Sequence, residues 1–75
     1  MPVMSKDIKL KLGLRIRQLR KKYKYTQERL SELAEVDYKH IQLLEGKRPP
    51  AIKIDTLEKL AKAFNMPVSK LLDLG

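Results

Sequence analysis

The stretch TQERLSELAEVDYKHIQLLE, residues 26–45, decides how this chain folds. Five of its apolar side chains lie where two short helices joined by a tight turn would bury them: Leu30, Ala34, Val36, Ile41 and Leu44. Leu30 and Ala34 are spaced i, i+4 on the first helix. Ile41 and Leu44 are spaced i, i+3 on the second, and the valine falls in the turn, where it can fill the corner. The stretch therefore predicts a helix–turn–helix motif over residues 26–45.

Burial of Ile41 and Leu44 also determines which side chains of the second helix face outwards. The opposite face carries Tyr38, Lys39, Gln42 and Leu43, with His40 toward its edge. A short helix that presents a phenol, an ammonium and an amide suits the major groove of DNA. The pattern thus predicts a recognition helix that reads bases.

The length of 75 residues predicts a single domain over residues 1–75, with one modest core and no second domain. The chain has no cysteine, which excludes disulfides and thiolate metal sites, and a lone His40 cannot build a zinc site. We therefore expect no metal and no cofactor. No serine, histidine and acid form a recognisable catalytic constellation, so we expect no enzymatic activity.

Apolar residues are scattered at helical spacing, and no apolar run approaches the roughly 18 residues that a membrane span needs. The first residues, MPVMSKDIK, lack the apolar segment of a secretory signal. A soluble, cytoplasmic protein with no membrane partner is expected.

The net charge of +8 indicates a polyanionic partner. Residues 1–24 hold nine of the seventeen basic side chains and only one acid, Asp7. Composition alone fits a solvated, lysine-rich surface equally well. A basic first helix lying on an anionic membrane is less favoured, because so small a core needs the apolar stripe of that helix.

The spacing predicts five helices and no strand, at about residues 6–23, 27–34, 38–45, 56–64 and 67–73. The first helix carries an apolar stripe of helical period: Ile8, Leu12, Ile16, Leu19 and Tyr23, with Leu10 and Leu14 widening one flank. Gly13 inside this helix costs about 1 kcal/mol relative to alanine, which favours a close helix–helix contact at that point.

Turn signals separate the motif from the last two helices. The two prolines of residues 46–50 indicate a loop, which Ile52 and Ile54 are expected to anchor to the core. Residues 55–58, DTLE, form a capping signal for the fourth helix. Asn65 is placed to end that helix in a left-handed conformation.

The chain also contains five short motifs: I-R-x-L-R at residues 16–20, T-Q-E at 26–28, L-x-x-L-A at 30–34, I-x-x-L-E-x-K-R at 41–48 and D-T-L-x-K-L-A-K-A at 55–63. Each motif alone is weak, but their combination over residues 8–72 is specific. Together they resemble the phage-repressor family of helix–turn–helix proteins (Cro/cI-like, XRE type). The resemblance implies an all-α, five-helix, lambda-repressor-like domain that binds double-stranded DNA as a transcriptional regulator.

The resemblance and the charge pattern assign expected roles to individual side chains. The base-reading positions match Tyr38, Lys39 and Gln42, with Leu43 placed to meet a thymine methyl group. The side chains expected to hold phosphates are Gln27, Arg17, Lys47, Arg48 and His40. Lys47 and Arg48 directly follow the recognition helix, and Gln27 begins the helix before it, at the positive end of that helix dipole.

Arg20 and Glu45 match a pair that forms an internal salt bridge in the relatives, and Gln27 matches a glutamine that braces the recognition helix. Two positions depart from the family pattern. The usual glycine of the turn is Glu35, where a left-handed backbone would cost about 1–2 kcal/mol. The usual small alanine is Ser31, which is a mild change.

Relatives usually bind palindromic sites as symmetric dimers, with half-sites about 34 Å apart. A homodimer on a palindromic operator is therefore expected, with Leu71, Leu72 and Leu74 as its candidate surface. The alternative that Leu71 and Leu72 only close the core of the monomer stays open.

A second hypothesis is an antitoxin-type interaction module that masks a protein partner such as a toxin and also binds its own operator. An uncovered apolar surface would favour this reading. RNA is a less suitable partner, because the major groove of an A-form duplex is too narrow for a recognition helix.

Overall fold

Five helices form in chain order in the computed structural model, which describes the backbone of residues 5–74 and the side chains of residues 8–74. They are α1 (Ser5–Lys22), α2 (Gln27–Ala34), α3 (Tyr38–Leu44), α4 (Ile54–Ala63) and α5 (Val68–Leu71). No strand occurs between residues 5 and 74, and the all-α fold is confirmed. Most helix ends lie within one residue of their predicted positions; the start of α4 and the end of α5 do not.

The buried apolar side chains form one core, which consists of Leu12, Ile16, Leu19, Leu30, Ala34, Val36, Ile41, Leu44, Leu60, Ala61, Phe64 and Leu71. All five side chains that define the helix–turn–helix pattern belong to it. α2 packs against both α3 and α4, and α4 packs against α5. Full burial of one leucine, isoleucine or phenylalanine contributes about 1.5–3 kcal/mol, so this core is the main source of stability.

The apolar stripe of α1 is buried only in its middle, at Leu12, Ile16 and Leu19. Ile8 lies on the same face but 45% exposed, because it precedes the part of the helix that covers the core. Leu14 is 56% exposed, since the flank that it widens faces solvent. The sequence therefore predicts correctly which face of α1 is buried, but it overestimates how far the buried part extends along the helix.

Three helices end at a residue other than glycine with a left-handed backbone: Lys24 (φ 60°), Glu35 (φ 56°) and Asn65 (φ 55°). In each case the N–H of the next residue donates to a carbonyl five positions earlier: Tyr25 to Arg20 at 2.9 Å, Val36 to Ser31 at 3.0 Å and Met66 to Ala61 at 2.9 Å. That residue is apolar and packs on the core, which completes a Schellman motif. The left-handed end predicted at Asn65 is confirmed, and Glu35 adopts the left-handed backbone of the glycine that it replaces in the family pattern.

The start of α4 corrects two expectations. The helix begins at Ile54 with Lys53 in the capping position, so Asp55 lies in the first turn and is not the cap. Its Oδ1 accepts a hydrogen bond from the backbone N–H of Thr56 at 2.9 Å. Ile54 is 81% exposed, because it lies in the first turn, ahead of the residues that reach the core. Ile52 alone of the two isoleucines packs against the core.

The last helix has only four residues, and hydrogen bonds from α1 add to its packing against α4. The guanidinium of Arg15 donates to the carbonyl oxygen of Lys70 at 2.9 Å and to that of Leu71 at 3.4 Å. The Tyr23 hydroxyl donates to the carbonyl oxygen of Phe64 at 2.9 Å, which ties the end of α1 to the end of α4. These contacts fix the C-terminal helices against α1.

Candidate nucleic-acid interface

α2 and α3 meet at a corner that local side chains and backbone define. The Thr26 hydroxyl oxygen accepts a hydrogen bond from the backbone N–H of Arg29 at 2.9 Å and caps α2. Glu35 turns the chain in the left-handed conformation, and the buried Val36 fills the corner. Asp37 occupies the capping position of α3, but its carboxylate makes no capping hydrogen bond.

The buried face of α3 determines the exposed one. Ile41 and Leu44 have no exposed surface, so they anchor the helix in the core. The side chains predicted to read bases are exposed: Tyr38, Lys39, Gln42 and Leu43. Successive residues of an α-helix are rotated by about 100°, which places Lys39 almost opposite the midpoint between the two anchors. The structure therefore brings all four predicted base readers to one outward surface.

The side chains predicted to hold phosphates lie on three helices and one loop. Arg17 is exposed on α1, and Lys47 and Arg48 are exposed on the loop after α3. His40 is half-buried on the flank of α3, and Gln27 is half-buried at the start of α2. Three of the five side chains are therefore exposed, and the other two are half-buried.

A bidentate ion pair joins α1 to the end of α3. Nε of Arg20 lies 2.8 Å from Oε2 of Glu45, and its Nη2 donates to Oε1 at 2.9 Å. Nη1 of the same guanidinium donates to the carbonyl oxygen of Tyr25 at 3.0 Å. The side chains of the pair are only 13% and 4% exposed. The predicted Arg20–Glu45 salt bridge is therefore present in the structure.

The side chain of Gln27 completes this network, and the network in turn shifts the pKa of Arg20. Nε2 of Gln27 donates to Oε1 of Glu45 at 3.3 Å, so its amide braces the end of the recognition helix. The hydrogen bond to Glu45 raises the pKa of Arg20 above its ordinary value, although burial acts in the opposite direction. The guanidinium therefore stays charged, and the network holds α3 at a fixed angle to α1 and α2.

Gly13 provides the second contact between α1 and α3. A methyl group at this position would overlap the carbonyl oxygen of Leu44. The close approach that a glycine inside a helix favours is thus confirmed, and its partner is the last turn of the recognition helix. The sequence offered no signal for that partner.

The expected dimer surface needs one correction. Leu71 has no exposed surface and belongs to the core, so it cannot form part of a surface of the folded chain. Leu72 is 41% exposed, and Leu74 is partly buried against the core. α5 thus closes the core with one leucine and leaves the next one available.

None of the helices described over residues 5–74 combines the length and apolar character needed to cross a membrane. Within the same part of the chain, no three histidine, cysteine, aspartate or glutamate side chains are grouped as ligands for a metal ion.

A buried helix–turn–helix corner and an exposed second helix define the class of protein, which is a helix–turn–helix domain of the nucleic-acid-binding kind. Residues 13–74 match the family described as the helix-turn-helix domain, and the chain belongs to that family.

One solved structure similar to this chain is the restriction-modification controller protein C.AhdI from Aeromonas hydrophila. The two are 27% identical with a TM-score of 0.78, and the similarity covers 84% of this chain and 94% of that one. No curated protein sequence matches the chain.

Proposed function

We propose that this protein is a cytoplasmic transcriptional regulator that binds double-stranded DNA in a sequence-specific manner, with α3 in the major groove. The observation that carries this proposal is the orientation of α3. Its two apolar anchors, Ile41 and Leu44, are fully buried, and its four predicted base readers are all exposed.

The dimensions of α3 support this placement. An α-helix with its side chains is about 10–12 Å in diameter, which fits a major groove about 12 Å wide, and the seven residues of α3 extend about 10 Å along it. Lys39 can donate to guanine, and the Gln42 amide can pair with adenine. Leu43, 51% exposed, offers an apolar surface to the methyl group of thymine.

Positive charge around α3 supplies the contacts that hold the protein in register. Arg17, Lys47 and Arg48 are exposed, and the latter two directly follow the recognition helix in the chain. Such side chains bind phosphate oxygens and set register, while the base readers supply sequence preference. With a net charge of +8, the whole molecule is attracted to duplex DNA.

The similarity to a restriction-modification controller protein supports a regulatory role for this chain. We propose further that it binds a palindromic operator as a homodimer. One recognition helix reads few base pairs, and two of them about 34 Å apart would read enough for useful specificity. Of the predicted dimer surface, the exposed Leu72 and the half-buried Leu74 remain available for this contact.

Selection from a random duplex library tests this function. We expect the protein to enrich a short inverted repeat and to bind it about 10³-fold or more tightly than scrambled duplex of the same length. A matched RNA duplex should compete weakly. Enrichment of no sequence, or equal competition by the RNA duplex, would contradict the proposal.

An uncovered apolar groove favours a second candidate, the antitoxin-type module with operator binding. The groove lies between the start of α1 and the chain around α4, and Ile8, Leu12, Pro50, Ala51, Ile52, Leu57 and Leu72 contribute to its lining. Light scattering of the protein alone separates the candidates. A homodimer that Leu72→Glu dissociates supports self-association, whereas a wild-type monomer leaves the groove for a different protein.

A further inference from the structure

A groove with three cationic side chains lies where the chain leaves the recognition helix. Lys9 and Leu10 of α1 line it together with Lys47, Arg48 and Pro49 of the following loop. Lys9 is half-buried, and the other two cations are exposed. Neither of the two salt bridges among the side chains of residues 8–74 involves these three cations.

The packing of α1 explains why Lys9 belongs to this groove. Lys9, Gly13 and Arg20 are spaced i, i+4 and i+11, which places them on one side of α1. Gly13 lies against the carbonyl of Leu44, and Arg20 binds Glu45, so this side of the helix faces the last turn of α3. Lys9 lies one turn before the glycine and therefore meets the loop that leaves α3.

The location of the groove identifies its ligand. The N-terminal residues of a recognition helix contact base edges, so the C-terminal end of a docked α3, about 10 Å farther along the helix, lies toward the edge of the major groove. The sugar-phosphate backbone forms that edge. Three like charges close together repel one another, and an anion between them relieves the repulsion.

We propose that Lys9, Lys47 and Arg48 together bind consecutive phosphates of the DNA strand that borders the major groove at the C-terminal end of α3. Lys9 holds one of these phosphates, so the start of α1 is part of the DNA-binding surface. This inference rests on the proposed function and adds to it a contact from the beginning of α1, about two turns before the Arg17 already assigned to phosphate.

The salt dependence of binding tests the contact. Each phosphate neutralised contributes about 0.9 to the slope of log affinity against log salt concentration. We expect Lys9→Gln to lower this slope by about that amount on specific and scrambled duplex alike. The ratio of wild-type to variant affinity should then shrink about threefold between 50 and 200 mM salt.

Lys11→Gln is the matched control, since it removes the same charge from the same helix. Lys11 is exposed and lines a different groove, beside Leu14 and Gln18. We expect this variant to keep the wild-type slope, and Lys9→Arg to restore it. Melting temperatures of the three variants would show that each is folded.

Duplexes with single neutral methylphosphonates locate the contact. At one position, neutralisation should weaken binding of the wild type but not of Lys9→Gln, and that position should adjoin the one that Arg48→Gln identifies. Equal slopes for Lys9→Gln and wild type, or equal losses in Lys9→Gln and Lys11→Gln, would overturn the inference while duplex binding itself stands. A wild-type protein that binds no duplex would instead overturn the proposed function.

Discussion

Removing either partner of the Arg20–Glu45 pair should destabilise the fold by about 3 kcal/mol. A buried ion pair that loses one partner typically costs about 3–5 kcal/mol, because the other charge stays buried without compensation. We expect the lower end of this range, since the Arg20 side chain is 13% exposed and water can reach it. At about 0.05–0.15 kcal/mol per residue, the 75-residue chain has about 4–11 kcal/mol in total, so the loss is large but measurable.

A double-mutant cycle separates the interaction energy of this pair from the effects that each substitution has on other contacts. We expect Arg20→Met and Glu45→Leu each to destabilise strongly. The double variant should lose at least about 2 kcal/mol less than the sum, since an apolar pair leaves no buried charge. Arg20→Met also removes the donor to the Tyr25 carbonyl, so it should be the more damaging single change. Urea unfolding followed by far-ultraviolet circular dichroism measures all three free energies.

The exposed pair of Arg29 and Glu32 on α2 is the internal control. Its charged atoms are 3.2 Å apart, but the side chains are 58% and 68% exposed. The corresponding coupling energy should be about 0.5 kcal/mol or less. A coupling at Arg20–Glu45 as small as this one would refute the view that burial makes the pair important.

Three further predictions concern the turn, the helix contact and the DNA-binding surface. Glu35→Gly should stabilise the protein by about 0.5–1 kcal/mol, because relief of the left-handed strain exceeds the entropy that glycine loses on folding; a fall in melting temperature would contradict this. Gly13→Ala should destabilise the protein by about 1–3 kcal/mol despite the better helix propensity of alanine, because the added methyl group meets the Leu44 carbonyl. Calorimetry measures the melting temperature of this variant, and an increase would contradict the prediction. In gel-shift titrations, Lys39→Ala should lose about 1–3 kcal/mol of discrimination at one base position, whereas Arg48→Ala should weaken binding to every sequence and reduce the salt slope. Identical behaviour of these two variants would remove the distinction between base and phosphate contacts.

The helix–turn–helix motif is predictable from sequence because its information is local. The buried side chains of α2 and α3, such as Leu30 and Ile41, lie on a face that repeats every three or four residues, and the pattern of each helix specifies that face. The turn between the helices is equally local, since the left-handed Glu35 and the buried Val36 depend on their immediate neighbours. The outward orientation of Tyr38 and Lys39 follows from the same pattern.

The ends of the domain are less predictable, because apolar residues there had two plausible environments. Leu71 and Leu72 are adjacent and chemically identical, yet one is fully buried and the other 41% exposed. The sequence predicts that Ile54 anchors the preceding loop to the core, yet its side chain is 81% exposed. Which of several leucines or isoleucines reaches the core depends on the position of the neighbouring helix, and sequence spacing does not contain that position.

The sequence by itself determined the five helices, the buried faces of α2 and α3, and a positive charge suited to a polyanion. The family resemblance implied the Arg20–Glu45 bridge, and only the tertiary structure decided the other contacts between α1 and the end of the recognition helix. Arg20 reaches Glu45 across 25 positions of the chain, Gly13 lies against Leu44, and Lys9 joins the loop that follows α3. Helical periodicity depends on the backbone within a few residues, whereas these contacts depend on the packing of the whole core, which brings distant segments together.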